Sequence, residues 1–315
     1  MYSVRIRVRR IFLLLFGFHL NIFLFIFIPF LIPPVVAAAG NTDDLFSRGV
    51  EAYNSFSDAG INLSVELFEA AIKEAPSSSP AHAALAEGYI QQYLRTGSND
   101  KKLLKKATSL AERSLLLDAK SPMAHKTLGT TYFASGKPEE AIEEFERAVD
   151  MEPGYARAWL NLGSSYHRIG DIKTAASHFA RAAELKNDPL AEALAHYNLA
   201  ALSYEKGDYT KALSSYDKAK TILPKYHNIY YGMGITLMQL DRDKEAVDLF
   251  KKAIELKAGD ADFHMGLASA YHRLGKKAEA KAAYYRALDI DPDMEDARQG
   301  LMGLEGMNIG PLNLY

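Results

Sequence analysis

The chain has 315 residues, with 37 Lys and Arg against 39 Asp and Glu, 48% hydrophobic residues and no cysteine. The absent cysteine excludes disulfides, thiolate metal sites, thiol catalysis and a lipid-modified cysteine anchor. Near-neutral charge without a basic stripe argues against a nucleic-acid partner.

The N-terminus carries Arg5, Arg7, Arg9 and Arg10, then an apolar run from Ile11 to Ile32, then PPVVAAAG. A basic start, an apolar segment and a small-x-small site describe a secretory signal peptide, with cleavage before Gly40 or Ala39. The run is also long enough to span a bilayer, so residues 1–40 read as a signal peptide or a membrane signal anchor. Either reading places the rest of the chain on the far side of the membrane, because the arginines stay inside. RRIFLL also resembles a twin-arginine export motif. Without the four arginines the chain keeps 33 basic against 39 acidic residues. The expected location is exported: periplasmic, or anchored in the inner membrane facing the periplasm, with secretion as the alternative.

Downstream, one pattern recurs. Trp159, Leu162, Gly163 and Tyr166 fit W-x2-L-G-x2-Y, and Ala175 and Phe179 follow as A-x3-F. Ala141, Ala175, Ala212, Ala246 and Ala280 open second helices, with Phe145, Phe179, Tyr216, Phe250 and Tyr284 four residues on. Spacings are 34 residues except between Ala175 and Ala212, where three extra residues fall around Lys186–Leu190. Pro153, Pro224 and Pro292 close second helices, where proline cannot continue them. Pro138, Glu139 and Glu140 suit a helix start. The pattern resembles the tetratricopeptide repeat. It predicts an all-α fold, an α-α superhelix (α-solenoid) of about seven helix-turn-helix repeats at 42–78, 79–121, 122–155, 156–192, 193–226, 227–260 and 261–294. A capping helix at 295–305 and an apolar tail at 306–315 complete the chain, the tail a candidate for docking into a groove. Lys101, Lys102, Lys105 and Lys106 read as a solvated helix face.

No dinucleotide, P-loop, nucleophile-elbow or zinc-protease motif is present, so no catalytic, cofactor or metal residue is expected. His264 and His272 lack metal-site spacing. Asn62-Leu63-Ser64 fits a glycosylation triplet.

The resemblance implies that first helices line a concave groove which binds a protein or peptide. It assigns Lys126, Thr130, Arg157, Leu160, Ser164, Tyr197, Tyr204, Tyr231, Met238, Met265 and His272 to that lining. The family's two-carboxylate clamp is absent. Leu160, Tyr197, Tyr204, Tyr231, Met238 and Met265 read as an apolar binding strip. On that reading Tyr197→Ala and Tyr231→Ala should each change stability by less than about 1 kcal/mol; packing against neighbouring helices is the competing reading. The functional expectation is a non-catalytic interaction scaffold in envelope assembly or export, touching the membrane through residues 11–32 if uncleaved. An accessory or regulatory subunit of an envelope enzyme is the alternative, and an unrecognised enzyme a weaker one. The sequence leaves the oligomeric state and the identity of the partner open.

Overall fold

The computed structural model describes residues 41–54, 58–95 and 100–304. The expected signal or anchor segment and the apolar tail lie outside them. The described residues form fifteen helices and no strand. They are α1 (Asn41–Asn54), α2 (Asp58–Glu74), α3 (Ser79–Arg95), α4 (Lys101–Leu117), α5 (Pro122–Ala134), α6 (Pro138–Met151), α7 (Ala156–Arg168), α8 (Ile172–Leu185), α9 (Pro189–Glu205), α10 (Tyr209–Ile222), α11 (His227–Gln239), α12 (Asp243–Leu256), α13 (Ala261–Arg273), α14 (Lys277–Ile290) and α15 (Glu295–Leu304). None is long and apolar enough to cross a membrane. Contacts divide the chain into two compact units inside α9, between Leu194 and Ala195. From α1 to α8 in the first unit, and from α10 to α15 in the second, consecutive helices pack against each other.

Local chemistry sets the helix ends. Asp171 and Asp208 accept the backbone N–H groups of Thr174 and Lys211, and Ser121 accepts that of Ala124. These side chains satisfy donors that the first helical turn leaves open. The turns inside four helix pairs put Gly136, Gly170, Gly207 and Gly275 at φ between 73° and 86°. Asp241 holds the equivalent place at φ 59°, a left-handed conformation costly for most side chains and tolerated by Asp.

The large-small pairs in first helices have a steric reason. A Cβ on Gly163 would stand 2.7 Å from the Phe179 ring and 3.2 Å from the Ala175 carbonyl. Phe179 is fully buried, so its ring fills the notch that the glycine leaves. Phe250 is held twice: Gly234 of its own helix pair and Gly266 of the next both open onto its ring, each with a would-be Cβ at 2.7 Å.

The extra residues near Lys186 do not form a longer loop. Lys186 ends α8 at φ 52°, and α9 then runs 17 residues where α5, α7, α11 and α13 run 13. The insertion lengthens α9 at its N-terminus. At the other end of the chain, Arg298 of α15 stands where α7 carries Trp159. A charged side chain on this last helix keeps its outer face in water, as a solenoid end requires. The glycosylation triplet lies inside α2, where Ser64 is buried and donates to the Ile61 carbonyl at 2.8 Å.

Candidate partner-binding groove

The first helices α5, α7, α9, α11 and α13 carry the residues assigned to a groove. In the C-terminal unit, α11 and α13 bring Tyr231, Met238 and Met265 to one cluster around Leu237, Phe250, Leu267 and Tyr284. Tyr231 and Met265 are half-buried there. The Tyr231 ring lies 5.2 Å from that of Phe263 and 5.8 Å from that of Phe250. Burial pushes its phenol well above the ordinary tyrosine value, and the carboxylates of Asp262 and Asp260 add to the shift. Tyr231, Ile235, Met265 and Ser269 leave part of their surface in water on these two helices.

Four of the six strip residues are buried, which corrects their expected exposure. Met238 is 3% exposed and belongs to the core just described. Tyr197 is 3% exposed. Its ring stands 5.6 Å from Tyr216 and 5.8 Å from Tyr226, and burial raises its phenol well above the ordinary value. Tyr204 is 6% exposed, its ring 5.3 Å from Tyr209. Leu160, in the N-terminal unit, is fully buried. Tyr197 and Tyr204 pack on rings of α10 and of the loop after it. His272 is exposed, with Nδ1 3.4 Å from the Tyr284 hydroxyl.

The N-terminal unit is lined differently. Lys126 donates to Glu87 at 2.6 Å, Thr127 donates to the same oxygen at 3.2 Å, and Arg157 pairs with Asp188. All four charged side chains are nearly withdrawn from water, at 4% to 11% exposure. Placing paired charges in a dry layer yields little net stability. It does make the register between helices demanding, because a displaced partner leaves a buried charge behind. Lys126, Thr130, Arg157 and Ser164 are therefore packing groups here, not surface groups. Gln91 Oε1, Asn161 Oδ1 and Arg157 Nη2 are buried without a hydrogen-bond partner among the described residues.

Two recurrent contacts escaped the sequence reading. The fourth residue of a first helix donates to the carbonyl six residues earlier: Trp159 to Pro153 at 3.0 Å, Tyr230 to Pro224 at 2.7 Å, His264 to Ala258 at 3.0 Å, and Arg298 to Pro292. The last residue of a first helix caps the preceding first helix: Arg168 donates to the Phe133 carbonyl at 2.9 Å, Arg273 to the Met238 carbonyl at 2.7 Å. Arg168 and Arg273 were legible as a shared His-Arg before the turn glycine; the fourth-residue donors were not, because their side-chain types differ.

Tetratricopeptide repeat profiles match residues 126–191 and 231–295, and a second such profile matches 191–259. Human protein O-mannosyl-transferase TMTC1 is 26% identical over 233 residues, covering 71% of this chain and 25% of its own length. The chain thus spans about a quarter of that relative. Among solved structures, the APC/C Cut9–Hcn1 hetero-tetramer has a chain that aligns with TM-score 0.65 at 17% identity, covering 84% of this chain and 54% of that one. PilW, described as a type IV pilus biogenesis factor, aligns with TM-score 0.61 at 20% identity, covering 71% of this chain and 98% of that one. The glycine–aromatic register, the paired helices and profile matches running together from residue 126 to 295 show that this chain belongs to the tetratricopeptide repeat family.

Proposed function

We propose that the chain is an exported, non-catalytic scaffold that holds an apolar segment of a protein partner on α11 and α13, in envelope assembly or export. The observation that carries this reading is the half-buried apolar surface of Tyr231, Ile235 and Met265. Aromatic and thioether side chains left partly in water can anchor a partner at small cost to stability. The arginine-led apolar run with its small-residue site supports export. The fold shared with a pilus biogenesis factor is compatible with an envelope role.

Photo-crosslinking tests the surface. A photoreactive residue at Met265 should capture a discrete partner in envelope fractions, and one at Met151, exposed on α6, should not. Equal capture at both places would remove the assignment. A reporter fused after Tyr315 should be active only outside the cytoplasm; activity of a cytoplasm-only reporter would overturn export.

A further inference from the structure

Helix α4 opens on a dense run of lysines. Lys101, Lys102, Lys105 and Lys106 occupy its first two turns, all of them exposed. The N-terminal end of a helix carries partial positive charge and favours acids. α6 and α12 follow that rule with Glu139 and Glu140, and with Asp243 and Glu245; α4 has Asp100 at its N-cap, accepting the Lys102 backbone N–H, and then four lysines with no acid in its first turn. Lys101 with Lys105, and Lys102 with Lys106, are also like charges four residues apart, which destabilises a helix. Lys106 stands 5.0 Å over the Tyr89 ring. None of the four is drawn into an ion pair among the described residues. The same helix leaves Leu116 75% exposed, and α2 leaves Leu63 47% exposed. A cationic helix with a bare leucine points to an anionic surface that compensates it.

We infer that the outer face of α4 docks on anionic phospholipid headgroups, with the four lysines on phosphates and Leu116 at the acyl boundary. Lysines held close to an anionic bilayer are attracted to it. A bilayer fits better than an acidic protein because of what precedes α1. The apolar run 11–32 ends eight residues before the first helix. Eight residues reach at most about 28 Å, so a membrane-held run keeps the first repeats beside the headgroups. This argument rests on reading residues 11–32 as a retained anchor. It concerns different helices from the proposed partner surface.

The chain has no cysteine, so Leu116→Cys in the full-length protein takes a single environment-sensitive label. Met151→Cys on α6 serves as control. Each is reconstituted with vesicles of phosphatidylcholine alone, or with added phosphatidylglycerol, containing a headgroup quencher. We expect quenching at position 116 to be at least about twofold stronger in anionic vesicles, and to fall when salt screens the charges. Replacing all four lysines by glutamine should abolish the difference, and position 151 should show none. Gln forms helices well, and an unchanged circular dichroism melt confirms that the variant folds. Equal quenching in both vesicle types, or quenching unaffected by the glutamines, overturns the proposal. So does a label that shifts only with added polyglutamate, which assigns the face to an acidic polypeptide. An alkaline wash reports anchoring separately: a chain stripped by it refutes the anchor, while the label still reads docking at equilibrium.

Discussion

At the scale of single residues, void and ring are matched with little slack. Gly163→Leu must displace Phe179 or the Ala175 carbonyl, and overpacking of this kind costs about 1–3 kcal/mol. A denaturant midpoint lowered accordingly, at unchanged slope, is the expected outcome. Tyr197 carries the corrected expectation. Its ring sits among Tyr216 and Tyr226 at 3% exposure, so Tyr197→Ala should cost about 3–5 kcal/mol, as buried aromatics do. Tyr231→Ala should cost measurably less, because that residue keeps more of its surface in water. Thermal melts of the two variants side by side check the ordering; equal losses would place Tyr231 in the core as well. The fourth-residue donors show how chemistry can be preserved while residue type changes. Trp159, Tyr230, His264 and Arg298 share only an N–H or O–H long enough to reach a carbonyl six residues back.

At the scale of helices, the sequence pattern was most informative where geometry forces a small set of residue types. Glycine is needed where the Phe179 ring passes, so Gly163 was legible; Gly170, needed where the turn takes positive φ, went unread. Burial on the inner face was not. Tyr197 and Tyr231 occupy the same place in their repeats and each has two aromatic rings beside it, yet Tyr197 is buried and Tyr231 keeps part of its surface exposed. The rings around both tyrosines lie 19 to 32 residues away in sequence. The same limit hid Glu87 and Asp188, whose cationic partners lie 39 and 31 residues distant. A helix-level prediction concerns acid. His178 lies between Trp159 and Tyr166, at 5.3 and 5.2 Å between ring centres. Burial lowers its pKa below the ordinary 6.5, and burial followed by the Lys257 charge lowers that of His227. The unfolded chain therefore takes up protons first as pH falls through 6.5. The stabilising contribution is complete above that value and is lost below it. Melting temperature should decline from about pH 8 to about pH 5, and a double His178→Gln, His227→Gln variant should decline less. Asp243 and Asp296, whose carboxyls burial raises, act in the opposite sense and closer to the carboxylate range, so the histidine effect is read above about pH 5.

At the scale of the whole molecule, the chain has no disulfide to bind its parts together, so its cohesion rests on what each helix pair shares with the next. Phe250 is shared in the strictest sense. Its ring lies against Gly234 in its own pair and against Gly266 in the following one, and neither helix pair can open without uncovering it. Residues 227–273 should therefore lose amide protection as one cooperative block in native-state hydrogen exchange. Phe250→Leu should split that block, so that α11 and α13 exchange with separate free energies. A repeat array is usually pictured as beads that can be added or removed one at a time. Here a single side chain makes two beads into one, and a deletion or graft that cuts between α12 and α13 would leave an aromatic ring with half of its socket.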